Sequence, residues 1–387
     1  MSGNLLSHSN SFGFEMEKDA AGCRALNRNF IVGGKQMKVC VLGPITTDNY
    51  YGGVAVFDEQ LALGFYQCGH SVSIVTYQKD ATCEKLFGCV PVNIVCSKRK
   101  FSEWIKQEKP DLIIGSLDYP KLIVGQQVLG TKVAYFLHGF FTRSYYGVLK
   151  SILAPIYQKF LIRKADYVFA NSDFTCMVNR EFFGINVDKV FRLGVSEDFF
   201  EKTENISLDE KSKGTILYAG RLVSAKGVDK LIKAVEILNM KGVDYKLLIA
   251  GDGPDKDNLE KYVIQKGLKV DFLGMVDHSQ ISDLYRKSEI FVSLNPSEPF
   301  GITFAEALLS ECKIVCPTTG GQVEYLQEWK KSVAFINGDS PVDIARGIEK
   351  LLDKGAYPKL SDAAREIYTY KSVAKNIIDF VEETRAN

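Results

Sequence analysis

A chain of 387 residues is longer than one hydrophobic core usually serves, so its size favours two domains of roughly 150 to 200 residues each. Its 48 Lys and Arg nearly cancel its 47 Asp and Glu, and neither half is strongly basic, which argues against nucleic acid as the main ligand. Nine cysteines lie mostly in apolar runs without zinc-ribbon or disulfide-scaffold spacing, and read as reduced, mainly buried thiols of a cytoplasmic protein.

Residues 1–36 are rich in Ser, Asn and Gly, have no sustained period, and read as a poorly ordered N-terminal tail. This segment lacks the charged start and apolar core of a signal peptide, and no apolar run in the chain reaches the roughly 20 residues that span a bilayer. From Met37, strand-like runs alternate with helical stretches: KVCVLG, VAVFDEQLALGFYQCG, SVSIVTY, DLIIGS, KVAYFLHG and YVFANS. After the polar segment EKTENISLDEKSKG the alternation resumes with GTILYAG, KLIKAVEILNMKG, YKLLIAG, KVDFLG, EIFVSL and KIVCP. This pattern predicts α/β architecture with two doubly wound, Rossmann-like domains in tandem, at 37–195 and 214–369, joined by a linker at 196–213. A last amphipathic helix occupies 370–387. Open parallel sheets bind ligands beyond the carboxyl ends of their strands, so two such domains facing each other place a cleft between them.

The residues that follow strands are therefore the candidates. In YYGGVAV, Gly52 and Gly53 permit a tight turn and close backbone approach to a ligand, although most Gly pairs only make turns. His138 in YFLHGF stands at a strand end, where it either donates to a ligand oxygen or is structural, while His8, His70 and His278 look incidental. In YAGRLVSAKG, Arg221 and Lys226 lead into a helix; two cations there neutralise a diphosphate, or are simply solvated surface charge. NPSEPFGITFAEAL reads as loop then helix, with Pro and Gly as the punctuation. The first N–H groups of that helix, near Phe300, Gly301 and Ile302, suit an anion or a polar sugar. Glu298 before the helix and Glu306 within it suit vicinal diols, the alternative being acidic decoration of a helix N-terminus. Asp255 and Asp257 in GDGPDKDN mimic a metal-binding acidic pair, but helix capping explains them at less cost. The dinucleotide glycine fingerprint is missing from the first domain.

In order and spacing, AGRLVSAKG, IAGDGP, FLGMV, SEPFGITFAEAL and TTGGQVEYL resemble the retaining glycosyltransferases of family 4, glycosyl transferases group 1, which have the GT-B fold. The resemblance is strongest from Gly214 to Leu326 and looser in the first domain. It implies transfer of a hexose from a nucleoside diphosphate sugar to a glycan or lipid-linked acceptor, with no cofactor and no metal. Arg221 and Lys226 would bind the diphosphate, Glu298 the donor sugar, and Glu306 the ribose. Backbone at Phe300, Gly301, Ile302 and Thr303 would contact sugar and phosphates, with His138 near the reacting sugar and Gly53 near the phosphates. The final helix would cross back onto the first domain. One departure is Glu311, where the family commonly has a small residue. Another is RSYYGVLKSILAPIYQKFLIRK at 143–164, apolar and aromatic with Lys150, Lys159, Arg163 and Lys164 interspersed. It reads either as a peripheral contact with an anionic membrane, at its inner face, or as a core helix with snorkelling cations. Two rival classes are a nucleotide-dependent oxidoreductase and a catalytically silent sugar-nucleotide-binding partner.

Overall fold

The computed structural model describes residues 36–47, 49, 50, 52–126, 130–201 and 211–386. The tail expected at 1–36 lies, but for Gln36, outside the described residues, as do His8, Cys23 and residues 202–210 of the expected linker.

The first sheet contains β1 (Lys38–Leu42), β2 (Ser71–Thr76), β3 (Lys85–Leu86), β4 (Val90–Ile94), β5 (Leu112–Ser116), β6 (Lys132–Leu137), β7 (Tyr167–Ala170) and β8 (Lys189–Val190). Its order is β3-β4-β2-β1-β5-β6-β7-β8, parallel throughout except for the short edge strand β3. Around it lie α1 (Gly53–Gln67), α2 (Lys98–Glu108), α3 (Arg143–Ile162) and α4 (Asp173–Phe183). The strand order reverses direction at β1 and β5, which opens a crevice beyond their carboxyl ends.

The second sheet has the order β11-β10-β9-β12-β13-β14, with every pairing parallel. Its strands are β9 (Ser212–Ala219), β10 (Lys246–Ala250), β11 (Val270–Gly274), β12 (Ser288–Val292), β13 (Lys313–Pro317) and β14 (Val333–Ile336). The helices between and after α4 are α5 (Asp198–Glu201), α6 (Val228–Met240), α7 (Lys256–Lys266), α8 (His278–Lys287), α9 (Ile302–Leu309), α10 (Val323–Leu326), α11 (Pro341–Lys354), α12 (Asp362–Glu366) and α13 (Tyr370–Ala386). Strands β5, β12 and β13 are buried at every position, as the continuous apolar runs of doubly covered parallel sheets require.

Helix α13 lies on the first domain. Gly64 of α1 lets it approach: a Cβ there would stand 2.4 Å from the Tyr370 carbonyl oxygen. Farther along, Tyr167 and Thr384 hydroxyls meet at 2.8 Å, and Arg385 Nη2 donates to the Asp111 carbonyl at 2.6 Å. Pressed between sheet and α13, α1 is buried on almost every side, which explains its apolar sequence. One apolar core runs from Phe57 and Phe136 through Tyr370 to Phe304 and Tyr325, across both domains.

The polar segment EKTENISLDEKSKG, expected to be linker, is pinned at its far end. Lys211 is buried, and its Nζ donates to the carbonyls of Ser310 at 2.7 Å, Ser288 at 2.9 Å and Tyr285 at 3.2 Å. At the near end Phe199 of α5 packs its ring 5.6 Å from Tyr285. The cysteines also depart from expectation: Cys40, Cys312 and Cys316 are buried, Cys96 is exposed, and four more are half-buried. Of those four, Cys68 follows α1, Cys176 lies in α4, and Cys83 and Cys89 flank the two-residue strand β3.

Lys211→Met removes the charged donor shared by three buried carbonyls, two of which keep the weak Cys312 thiol donor, so we expect a loss of about 2–4 kcal/mol in urea unfolding. A loss below about 0.5 kcal/mol would show that water replaces the ammonium freely.

Candidate functional site

The site is assembled from loops after β1, β6, β7, β9, β12 and β13. In the second domain, the chain leaves β9 through Gly220, whose φ of 151° and close neighbour Gly251 allow two strand-end loops to touch. A Cβ on Gly251 would lie 1.9 Å from the Gly220 carbonyl oxygen. This contact projects Arg221 to the surface and leads into a single 3-10 turn that carries Lys226. Gly227, at φ 70°, then starts α6.

Lys226 Nζ lies 2.8 Å from Glu298 Oε2, and Asn295 Nδ2 donates to the same oxygen at 2.7 Å. Both charged side chains are about four-fifths covered, at 21% and 18% exposure, so their attraction is less screened than that of a surface pair. The loop then turns at Gly301, φ 81°, where a Cβ would collide with Phe304 at 2.7 Å. Phe304 and Ala305 N–H close onto the Gly301 carbonyl, which leaves Ile302 and Thr303 in the first turn of α9, whose N–H groups have no intrahelical acceptor. Phe300 is buried against the Tyr325 ring at 5.2 Å, so it contributes backbone, not its ring, to any ligand. Glu306 is half-buried one turn further in, and its charge bears on Tyr285, Tyr325 and Tyr370.

Pro299 brings this loop against the first domain. Its carbonyl accepts from Ser172 Oγ and, at 3.3 Å, from Thr175 Oγ1. A Cβ on Gly139 would lie 2.9 Å from Pro299 Cγ. Beside it Glu324 accepts from the backbone N–H groups of Asp173 at 3.1 Å and Phe174 at 2.6 Å, the first turn of α4. Carboxyl ends of the two sheets therefore meet, and His138 and Glu298 each sit one residue from the Gly139–Pro299 contact.

His138 rests between Phe57, with ring centroids 4.7 Å apart, and Phe136 at 5.1 Å. Burial there pushes the imidazole down from 6.5 to about 3, so it is neutral at physiological pH. Its Nε2 lies 2.9 Å from Ser116 Oγ, and Ser116 lies 2.7 Å from Asp58 Oδ1. Sequence reading missed both partners: Ser116 ends a strand and Asp58 sits within an apolar helix, and nothing in spacing links positions 58, 116 and 138.

Several expectations need correction. The Gly pair makes no tight turn of its own: Gly52 is extended, at φ −150°, and Gly53 begins α1. What distinguishes Gly53 is space, since a Cβ there meets nothing within 4 Å. Asp255 makes no side-chain capping bond to α7; Asp257 lies in its first turn, where the helix dipole favours it. Among the described residues no group of three His, Cys, Asp or Glu could hold a metal. Glu311 has φ 55°, which explains why a small residue suits that position, and its carboxylate faces Arg365 at 3.5 Å. The core-helix reading of 143–164 fails: Val148, Leu149, Ile152, Leu153, Ile156, Tyr157 and Phe160 of α3 are exposed.

Two facing Rossmann-like domains, with a glycine-bounded cation loop and a helix N-terminus at their junction, define the GT-B class of fold. Residues 51–193 match the model of Glycosyltransferase Family 4 and residues 199–368 that of Glycosyl transferases group 1. Together these matches take in most of the chain, which belongs to this glycosyltransferase family. An uncharacterized glycosyltransferase of Methanocaldococcus jannaschii is 29% identical over 187 residues, 46% of this chain and 47% of its own. The sulfoquinovosyl transferase SQD2 of Arabidopsis thaliana is 25% identical over 303 residues, 72% of this chain and 56% of its own. The chain thus spans about half the length of these curated relatives. Among solved structures, Anabaena HepE in complex with UDP superposes with a TM-score of 0.66 at 16% identity, over 90% of this chain and all of that one.

Because the folded His138 resists protonation and the unfolded one does not, its contribution to stability is intact above pH 6.5 and is lost as pH falls from 6.5 toward about 3. Urea unfolding at pH 7.5 and pH 5 should show wild type losing more stability than His138→Gln; equal losses would contradict the neutral imidazole.

Proposed function

We propose that this chain is a glycosyltransferase that moves a hexose from a nucleoside diphosphate sugar to a glycan or lipid-linked acceptor, with retention of anomeric configuration. The observation that carries this reading is the Lys226–Glu298 pair at the start of α9, adjoining the Gly139–Pro299 contact beside His138. In this reading the donor diphosphate takes over Lys226 and recruits Arg221, which supply the positive charge that a metal would otherwise provide as the leaving group departs. Glu298, released from Lys226, accepts from sugar hydroxyls, and Glu306 holds the ribose. Backbone N–H groups of Ile302 and Thr303 face the phosphates at the positive end of α9. The acceptor hydroxyl attacks from the face the diphosphate leaves, passing its proton to a donor phosphate oxygen. Contact between the two domains keeps water from the reacting carbon. The UDP bound by the Anabaena neighbour makes a uridine donor the first to try.

A second observation favours work at a membrane surface. The exposed apolar residues of α3, with Leu149 at 72% and Ile156 at 62%, alternate with the exposed cations Lys150, Lys159, Arg163 and Lys164. That composition suits the interface of an anionic bilayer, where each cation contributes about 1 kcal/mol. No described helix is long and apolar enough to cross a membrane. A lipid-linked acceptor would then be met at the surface where it resides.

Thermal shifts with UDP, GDP, ADP and NAD test the donor class. A ligand at about 100 times its dissociation constant adds roughly 2.7 kcal/mol to the native state. We expect one nucleoside diphosphate to stabilise the protein, and Lys226→Ala to remove the shift and cut transfer about 10²- to 10³-fold. Stabilisation by NAD alone, or full transfer by Lys226→Ala, would overturn the reading. For the membrane, co-sedimentation with phosphatidylglycerol vesicles should exceed that with phosphatidylcholine and fall in a Leu149→Glu, Ile156→Glu double variant; equal sedimentation would refute it.

A further inference from the structure

The contact between Asp58, Ser116 and His138 has a consequence that follows from counting protons. Ser116 Oγ carries one hydrogen and has two polar neighbours, Asp58 Oδ1 at 2.7 Å and His138 Nε2 at 2.9 Å. Two arrangements satisfy both contacts without stranding the acid proton; a neutral acid with its proton on Oδ2 would bury an O–H donor that has no acceptor among the described residues. If Asp58 is a carboxylate, Ser116 donates to it and accepts from His138, which must then carry its proton on Nε2. If Asp58 is the neutral acid, it donates to Ser116, Ser116 donates to Nε2, and the imidazole proton is on Nδ1.

The surroundings of Asp58 decide between them. Its side chain is fully buried, and Oδ2 has no hydrogen-bond partner among the described residues. It fits only because position 43 is glycine: a Cβ there would stand 1.9 Å from Oδ2. The titratable groups around it are Glu59 beside it on α1, Tyr50, Tyr119, Tyr370 and, through Ser116, the neutral His138. None is a cation. An ionised carboxylate in this place would lack both a counter-charge and half its hydrogen bonds, a state that burial strongly disfavours. Burial first, and then the Glu59 charge, hold the carboxyl above its ordinary range, outweighing the Ser116 hydrogen bond that acts the other way.

We propose that Asp58 and Ser116 are positioning residues for His138: Asp58, as the neutral acid, donates to Ser116, Ser116 donates to Nε2, and His138 is locked as the Nδ1–H tautomer. The imidazole then offers a ligand oxygen a hydrogen-bond donor at Nδ1 and is no base at that nitrogen. Its ring plane is fixed by Phe57 and Phe136, and its carbonyl by Asn171 Nδ2 at 3.0 Å, so the donor's direction is fixed as well. The ligand oxygen as part of a sugar nucleotide rests on the function proposed above; the tautomer does not.

The chain has four histidines, so long-range 15N–1H correlation spectra of the full protein labelled at histidine are simple, and His138→Gln identifies the signals of interest. Wild type should show a protonated Nδ1 and a bare Nε2, unchanged from pH 5.5 to 8. Ser116→Ala, a small change that folding should tolerate, should release the lock and populate Nε2–H. Asp58→Asn should keep the wild-type tautomer, because its amide N–H donates as the acid does, whereas Asp58→Val should lose it. In transfer assays Ser116→Ala should lower kcat about tenfold while nucleoside diphosphate affinity stays within about twofold. A wild-type protein protonated at Nε2, or a Ser116→Ala spectrum identical to wild type, overturns the proposal. If the spectra behave as expected but no sugar nucleotide is turned over, the tautomer lock stands and the transferase reading is what fails.

Discussion

The carbonyl oxygen of Pro299 is the point on which the two domains depend. It accepts from Ser172 and Thr175 of the first domain, and a glycine is required beneath it, because a Cβ on Gly321 would approach to 2.0 Å. A proline there has no N–H to satisfy and a fixed φ, so its ring can lie against Gly139 without leaving a buried donor unpaired. With that contact made, Glu298 on one side of it meets Lys226, and Gly301 on the other turns the chain into α9. One short loop thus sets the meeting of the sheets, the charge pair and the helix start.

The charge pair has a double meaning. Without ligand, Glu298 keeps Lys226 partnered in a partly covered place where a lone ammonium would be costly. In the function proposed above, a polyanionic donor would displace the carboxylate from the lysine, and the freed carboxylate would bind sugar hydroxyls instead. On that reading each partner is already held in position by the other, so little side-chain ordering would be left for binding.

Much of the fold was legible because doubly covered parallel sheets write long apolar runs into the chain: KVCVL, LIIGS and SEIFV became β1, β5 and β12. Strands β3, β4, β8 and β14 were not: β3 and β8 have two residues each, too few to carry a period, β4 is interrupted by Pro91, and the four residues of β14 follow a polar turn. Lys226, Glu298 and Gly301 were legible as candidates because local sequence order places them after strands and at a helix start. What escaped was long-range. Lys211 looked like part of a polar linker, yet three carbonyls from distant turns give its ammonium an interior. Asp58 looked like one polar residue in an apolar helix, and only the folded chain sets it beside Ser116. Exposed apolar residues on α3 were ambiguous for the opposite reason, since sequence shows that a face is apolar but not what it faces.

The most direct test of the exchange at Lys226 is calorimetric titration of the nucleoside diphosphate into wild type and Glu298→Gln. If the carboxylate competes with the diphosphate for Lys226, the variant should bind as tightly as wild type or several-fold more tightly, while its sugar transfer falls. A substantial loss of nucleotide affinity in Glu298→Gln would contradict the account, because it would mean that Glu298 holds Lys226 in place for the diphosphate instead of yielding it.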